Sequence, residues 1–135
     1  MNSCTFSTDR TYRYILHHDC GDLFTQKRRR IVWIGLNPST ADELALDPTL
    51  EVVRRYSKKW QLSEIVMLNL FAFRATDPRE MKKVADPVGP DNDKHLLAET
   101  QAAQRVIACW GDHGVFMDRD KQVCKPLRVL KFPFL

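Results

Sequence analysis

No stretch of about eighteen consecutive apolar residues occurs in this chain, so the sequence offers no membrane-spanning helix. The opening residues, Met1-Asn2-Ser3-Cys4-Thr5, carry neither the basic nor the apolar region of a secretory signal, which makes the cytoplasm the expected compartment. Glycine is sparse at 5 residues, without the repeat of a collagen-like chain or the G-x-G-x-x-G of a dinucleotide loop. A Walker-type phosphate loop, a G-x-S-x-G nucleophile elbow and an H-E-x-x-H zinc helix are missing as well, which removes the corresponding nucleotide-binding, serine-hydrolase and metalloprotease templates. The four cysteines, Cys4, Cys20, Cys109 and Cys124, form no C-x-x-C pair and read as reduced, mostly buried thiols. Two metal readings stand beside that one: a zinc ion gathered by Cys4, His17, His18 and Cys20, whose spacing matches no compact zinc module, and a four-thiol iron–sulfur cluster. No cofactor is expected.

What is present is ordinary for a folded chain. The sequence has 135 residues, 44% of them hydrophobic and 28% charged, which excludes disordered and fibrous classes and suits a single domain over residues 1–135. Lysine and arginine number 21 against 17 aspartates and glutamates, a formal net charge of +4. The cations are unevenly placed: Lys27-Arg28-Arg29-Arg30 is the densest run, followed by Arg54-Arg55, Lys58-Lys59 and Lys82-Lys83. Such patches can hold phosphates by counterion release, although each also reads as the solvated face of a helix or the mouth of a strand.

Apolar periodicity gives the elements. Residues 11–16 alternate and read as an edge strand. Ile31-Val32-Trp33-Ile34-Gly35-Leu36, Ile65-Val66-Met67-Leu68-Asn69-Leu70 and Val106-Ile107-Ala108-Cys109-Trp110 are nearly continuous apolar runs, the pattern of strands buried on both faces. Asp47-Pro48 opens a helix with Leu50, Val53, Tyr56 and Trp60 on one face. Asp77-Pro78 opens a short helix through Lys83, and residues 85–90 form a loop. A further helix spans Asn92 to Gln104 with Leu96, Leu97, Thr100 and Ala103 inward. The tail from Phe116 reads as a short helix and a last strand, Leu127 to Phe132. Strands alternating with helices predict an α/β fold: a three-layer α/β/α sandwich with a mainly parallel central sheet.

In such sheets ligands bind beyond the carboxyl ends of the strands. Three polar segments fall there: Gly35-Leu36-Asn37-Pro38-Ser39-Thr40-Ala41-Asp42, Asn69-Leu70-Phe71-Ala72-Phe73-Arg74 and Trp110-Gly111-Asp112-His113-Gly114. All three should meet on one rim. Each has a plainer reading: Asn37 tolerates the turn before Pro38, Asn69 is a satisfied core amide, and His113 is a surface histidine. A Cys109–His113 nucleophile pair is disfavoured because Cys109 lies inside an apolar run.

From Tyr12 to about Gly114 these segments resemble the uncharacterised bacterial and phage family DUF1643. The stretches that carry the likeness are Leu36-Asn-Pro-Ser-Thr-Ala-Asp42, Asp47-Pro-Thr49, Asn69-Leu-Phe-Ala-Phe-Arg-Ala-Thr-Asp-Pro78, Ala85-Asp-Pro-Val-Gly-Pro90 and Trp110-Gly-Asp-His-Gly114. More distantly, Gly35-Leu36-Asn37-Pro38-Ser39 is similar to the G-x-N-P motif of the uracil-DNA glycosylase superfamily. Met67-Leu68-Asn69 is similar to its asparagine-bearing strand end, and Cys109-Trp110-Gly111 to a third strand ending in W-G, in the same order. That resemblance implies a uracil-DNA-glycosylase-like fold and a hydrolase acting on the N-glycosidic bond of a flipped pyrimidine-type base. It implies Asn69 reading the base edge, Asn37 positioning the attacking water, Gly35, Leu36, Pro38, Ser39, Trp110 and Gly111 shaping the pocket, and Phe71 or Phe73 stacking on the base. Ser39, Thr40 and Arg74 would contact DNA, and His113 is the candidate to stabilise the leaving base. The superfamily's closing histidine–proline–serine segment has no counterpart after His113, so the family's C-terminal motif is expected to be missing or shortened.

Three functions follow as expectations: a glycosylase-like enzyme on DNA or a nucleotide; a catalytically silent binder of nucleic acid or nucleotide; and a small-molecule enzyme or protein-interaction module on the same fold.

Overall fold

The computed structural model describes residues 2–19, 29–39 and 48–131. A six-stranded sheet runs through it in the order β1-β2-β4-β3-β5-β6. β1 (Asn2–Phe6) and β2 (Arg13–Asp19) form an antiparallel hairpin, and β2 pairs antiparallel with β4 (Glu64–Asn69). β3 (Arg30–Gly35) pairs parallel with β4 on one side and with β5 (Arg105–Ala108) on the other, and β6 (Leu130–Lys131) adds parallel to β5. The sheet is therefore mixed, not mainly parallel as the run of apolar strands suggested. The cause is the N-terminal hairpin: β2 is not the edge but the second strand, covered by β1, a five-residue strand too short and too polar to show a period of two.

The three central strands carry the expected burial on both faces, and the strand alternation divides their side chains cleanly. Ile31, Trp33, Ile65, Met67 and Ile107 join one apolar cluster with Leu50 and Val53 of α1 (Pro48–Lys59). Val32, Ile34, Val66, Leu68 and Val106 join the other, with Met81 of α2 (Pro78–Lys82), Leu96 of α3 (Asn92–Gln101) and Val123 of α4 (Arg119–Cys124). Helices thus contribute to apolar clusters on both faces of the sheet.

Local chemistry explains most boundaries. Asp77 caps α2, its carboxylate accepting from the Arg79 N–H at 2.9 Å, and the neighbouring Arg79 guanidinium holds that carboxyl below its usual range. α1 presents Leu50, Val53, Tyr56 and the following Trp60 to the core as its spacing predicted; Asp47, expected as its cap, lies outside the described residues. α3 ends at Gln101, three residues short of the expected Gln104, and Leu97 is 51% exposed, not inward. Asn92, Leu96 and Thr100 fill that helix's buried stripe at the four-residue spacing, which leaves Leu97 about 100° off it. β5 stops at Ala108, although the Cys109 N–H still donates to the Ile34 carbonyl at 2.8 Å. A 3₁₀ segment over Asp112–Asp118, interrupted at Phe116 and Met117, leads into α4. The tail strand is reduced to Leu130–Lys131 within the described residues. No helix among the described residues is long and apolar enough to cross a membrane.

Within β2, His18 is buried, and its imidazole is held below the usual histidine pKa by burial first and by the Arg54 cation second, with Asp19 opposing. The unfolded chain, with a pKa near the ordinary 6.5, binds the extra proton. Stability from this site is therefore complete above about pH 6.5 and declines as the pH falls through that value. Urea midpoints at pH 7.5 and 5.5 should differ more for the wild type than for His18→Gln; equal differences would show that His18 does not carry the effect.

Candidate functional site

The three polar segments meet, as expected, at the carboxyl ends of the parallel strands. Gly35 is the register partner of Asn69, and Ile34 that of Ala108, so all three segments leave the sheet from adjacent positions. Backbone hydrogen bonds continue past the strands: the Leu70 N–H donates to the Gly35 carbonyl at 2.9 Å, Phe71 N–H to Leu36 at 2.9 Å and Ala75 N–H to Pro38 at 3.0 Å. The first two loops therefore travel together from the sheet to Ala75.

Asn69 is buried, yet its side-chain amide makes no hydrogen bond among the described residues. It continues the alternation of Ile65 and Met67 and so lies on the α1 side of the sheet. A Cβ placed on Gly35 would come within 3.0 Å of Asn69 Oδ1. Glycine at position 35 is what lets the amide lie across the neighbouring strand.

Asn37 is placed differently. Its Nδ2 donates to the Ala75 carbonyl at 2.8 Å and to the Pro38 carbonyl at 3.2 Å, pinning the first loop to the second. The Oδ1 accepts nothing among the described residues and is the atom left for a water or a ligand. Pro38 is buried and Ser39 half-buried. Thr40, Ala41 and Asp42 lie outside the described residues, as do Lys27 and Arg28 of the densest basic run.

The aromatic residues go elsewhere. Phe71 is fully buried against Phe116, ring centroids 5.6 Å apart, and has no face to offer a ligand. Phe73 is only half-buried and meets Tyr12 edge-on at 6.2 Å. Trp110 packs against the α2–α3–α4 side of the sheet, opposite to the Asn69 amide, with Gly114 beneath it. A Cβ on Gly114 would overlap the indole outright. Gly111 adopts φ 71°, which turns the third loop away from the strand. His113 is exposed, and its Nδ1 accepts from the Lys82 ammonium at 2.9 Å, while Lys82 lies 5.4 Å from the Phe116 ring centroid.

Two residues that sequence reasoning missed hold the rim in shape. Asn92, fully buried, donates from Nδ2 to the carbonyls of Asn69 (2.9 Å) and Leu70 (3.1 Å), and its Oδ1 is buried without a partner. Arg119, 4% exposed, donates to the Leu70 carbonyl from Nε at 3.1 Å and Nη2 at 3.0 Å, and pairs with Asp93 at 2.7 Å. The sequence signal was weak in both cases: a polar residue opening a helix and an arginine in a short basic tail have ordinary surface readings.

The metal readings find no support in position. Cys4 and His17 sit on the β1–β2 hairpin, where His17 is paired with Ser3 and Cys4 with Leu16, and Cys20 is outside the described residues. Among the described residues no group of three or more histidine, cysteine, aspartate or glutamate side chains is disposed to hold a metal ion.

The fold and rim define a mixed α/β protein with a polar, loop-built site beyond its parallel strands. The chain belongs to the family described as "Protein of unknown function (DUF1643)", whose model matches residues 13–134. No curated protein and no solved structure matches it.

Proposed function

We propose that this protein is a single-domain, uracil-DNA-glycosylase-like protein that takes a pyrimidine-type base, in DNA or as a nucleotide, at the rim formed by Asn37 and Asn69, and hydrolyses its N-glycosidic bond. The reading rests on one observation above the others: Asn69 is 5% exposed, its amide makes no hydrogen bond among the described residues, and Gly35 leaves it room. A carboxamide that both donates and accepts along one edge matches the hydrogen-bonding edge of a pyrimidine. A ligand would supply the partners that the folded chain withholds.

The Asn37 carbonyl oxygen is suited to orient a water, because Nδ2 fixes the amide plane through Ala75. In this reading Gly35, Leu36, Pro38 and Ser39 are the residues that would wall the base pocket. The Lys82–His113 pair brings a positive charge to the rim and is the candidate to stabilise a departing anionic base. Helical cover on both faces of the sheet agrees with a three-layer α/β/α arrangement, and the absence of a membrane-spanning helix among the described residues agrees with a cytoplasmic setting.

A second reading keeps the pocket without the chemistry. It is favoured by Trp110, which faces away from the Asn69 side, and by the exposure of His113. Base release from single- and double-stranded oligonucleotides carrying uracil, hydroxymethyluracil, thymine mismatches or hypoxanthine separates the two. Release that Asn37→Ala lowers by about a hundredfold or more, the usual size for losing a positioned catalytic dipole, is the expected result. Undiminished release by Asn37→Ala would overturn the catalytic reading.

A further inference from the structure

The face of the sheet that carries the Asn69 amide also carries a thiol. β5 stops at Ala108, so Cys109 stands one residue beyond it, at the carboxyl end of the sheet. Its N–H still donates to the Ile34 carbonyl at 2.8 Å, which continues the parallel pairing with β3 by one step. Ile34 is the partner of Ala108, so the next pair in register is Gly35 with Cys109, and Gly35 is already the partner of Asn69. Asn69, Gly35 and Cys109 therefore form one row across the ends of three adjacent strands.

The three residues also share a face. Side chains alternate along a strand, and Cys109 follows Ile107 at a spacing of two, as Asn69 follows Met67 and Gly35 follows Trp33. Cys109 is accordingly packed against the apolar cluster on the α1 side, whereas Trp110 belongs to the opposite cluster. Adjacent strands lie about 4.8 Å apart, so Asn69 and Cys109 face each other across about 10 Å of sheet whose middle is bare glycine. Asn69 leans into that gap: its Oδ1 lies 3.0 Å from where a Gly35 Cβ would stand. Asn69 is 5% exposed and its amide makes no hydrogen bond among the described residues, so a nearly buried polar group is aimed over the glycine toward the thiol side. Cys109 itself is half-buried.

We infer that Cys109 is the third wall of the base site, a specificity-determining residue that touches the edge of the ring away from Asn69. The inference rests on the functional reading above and deepens it, giving Cys109 the part that the sequence resemblance implied for Trp110. The two side chains complement each other. Asn69 offers a donor and an acceptor to the polar edge of a pyrimidine. A thiol is small, polarizable and only a weak hydrogen-bonding group, which suits the carbon edge of the same ring. The size of residue 109 then decides which ring substituent is admitted. No nucleophilic step is assigned to the thiol: the Nδ1 of His113 accepts from Lys82, on a loop that Gly111 turns away.

N-ethylmaleimide labelling of the wild-type chain, read cysteine by cysteine by peptide mass spectrometry, tests this directly. Cys4 and Cys124 are internal controls, since both are half-buried and neither is in a disulfide. Rates are compared without ligand and with free uracil, hydroxymethyluracil or thymine, and with single-stranded oligonucleotides carrying each base; binding is measured separately by calorimetry or fluorescence anisotropy. At ten times Kd about one site in ten stays open, so labelling of Cys109 should slow about tenfold while the Cys4 and Cys124 rates hold. Cys109→Leu should weaken binding of the preferred base by about tenfold or more through overpacking, with Cys109→Ser close to the wild type. A base that binds with Asn69-dependent selectivity yet leaves Cys109 labelling unchanged overturns the third wall and spares the base site. Equal slowing at all three cysteines, or a folded Cys109→Leu with wild-type affinity, overturns it likewise. Failure of every probe to bind overturns the base site and the Cys109 assignment with it. If Cys109→Leu does not fold, the labelling comparison on the wild type decides alone.

Discussion

Asn69→Ala should abolish discrimination between bases while leaving the fold intact. Each well-formed two-point contact to a base edge is worth about 1–3 kcal/mol of discrimination, so the preferred base should lose roughly tenfold to a hundredfold in affinity or release rate relative to its competitors. The cost to folding should be close to zero, because the amide makes no hydrogen bond among the described residues that alanine would forfeit. Asn37→Ala makes the informative contrast. It forfeits the 2.8 Å bond to the Ala75 carbonyl and should lower stability by about 1 kcal/mol in addition to any effect on chemistry. Selectivity profiles and urea midpoints on the same samples separate the two. A destabilised Asn69→Ala with unchanged selectivity would make Asn69 a core amide and remove the main support for base recognition.

The largest loss of stability is expected at Trp33. Its indole is fully buried at the centre of β3, stacked on Trp60 with centroids 5.7 Å apart, and its Nε1–H donates to the Ser57 hydroxyl at 3.1 Å. Ser57 is itself fully buried, so the bond joins α1 to the sheet in a place water does not reach. Trp33→Ala should cost about 3–5 kcal/mol through lost transfer energy and the cavity left behind. Against the 5–15 kcal/mol typical of a folded domain, that lowers the urea midpoint by more than about 1 M and brings partial unfolding within reach. Trp33→Phe keeps most of the volume but orphans the Ser57 hydroxyl, and should cost less, about 1–3 kcal/mol. A shift below about 1 kcal/mol for Trp33→Ala would contradict the packing described.

The sequence was readable where one physical rule dominates. The apolar runs ending in Leu36, Leu70 and Trp110 named the three central strands within one or two residues, because burial on both faces leaves no room for polar alternation. Their ends converged because parallel strands must share a direction. What escaped was decided by tertiary pairing. β1 has the composition of a polar terminus and becomes a strand only by adding to β2. The mixed character of the sheet follows from that pairing and is invisible in any single segment. Arg119 and Asn92 escaped for a related reason: their partners are backbone carbonyls 49 and 22 residues away, and a carbonyl leaves no trace in the residue type that bears it. The placement of Trp110 and Asn69 on opposite faces likewise depends on where β5 ends, a boundary that its apolar pattern overran by two residues.

The Leu70 carbonyl, which receives Asn92 and both arms of Arg119, also bears on how the molecule is made. The strand it terminates is complete once residue 69 has been synthesised, yet its donors arrive only with residues 92 and 119. A nascent chain emerging from the ribosome would therefore assemble the β3–β4 pair first and hold its rim open until α4 emerges. Termination before Arg119 would release a chain with its central strand pair and an unclamped rim, so a helix 49 residues downstream governs the shape of that loop.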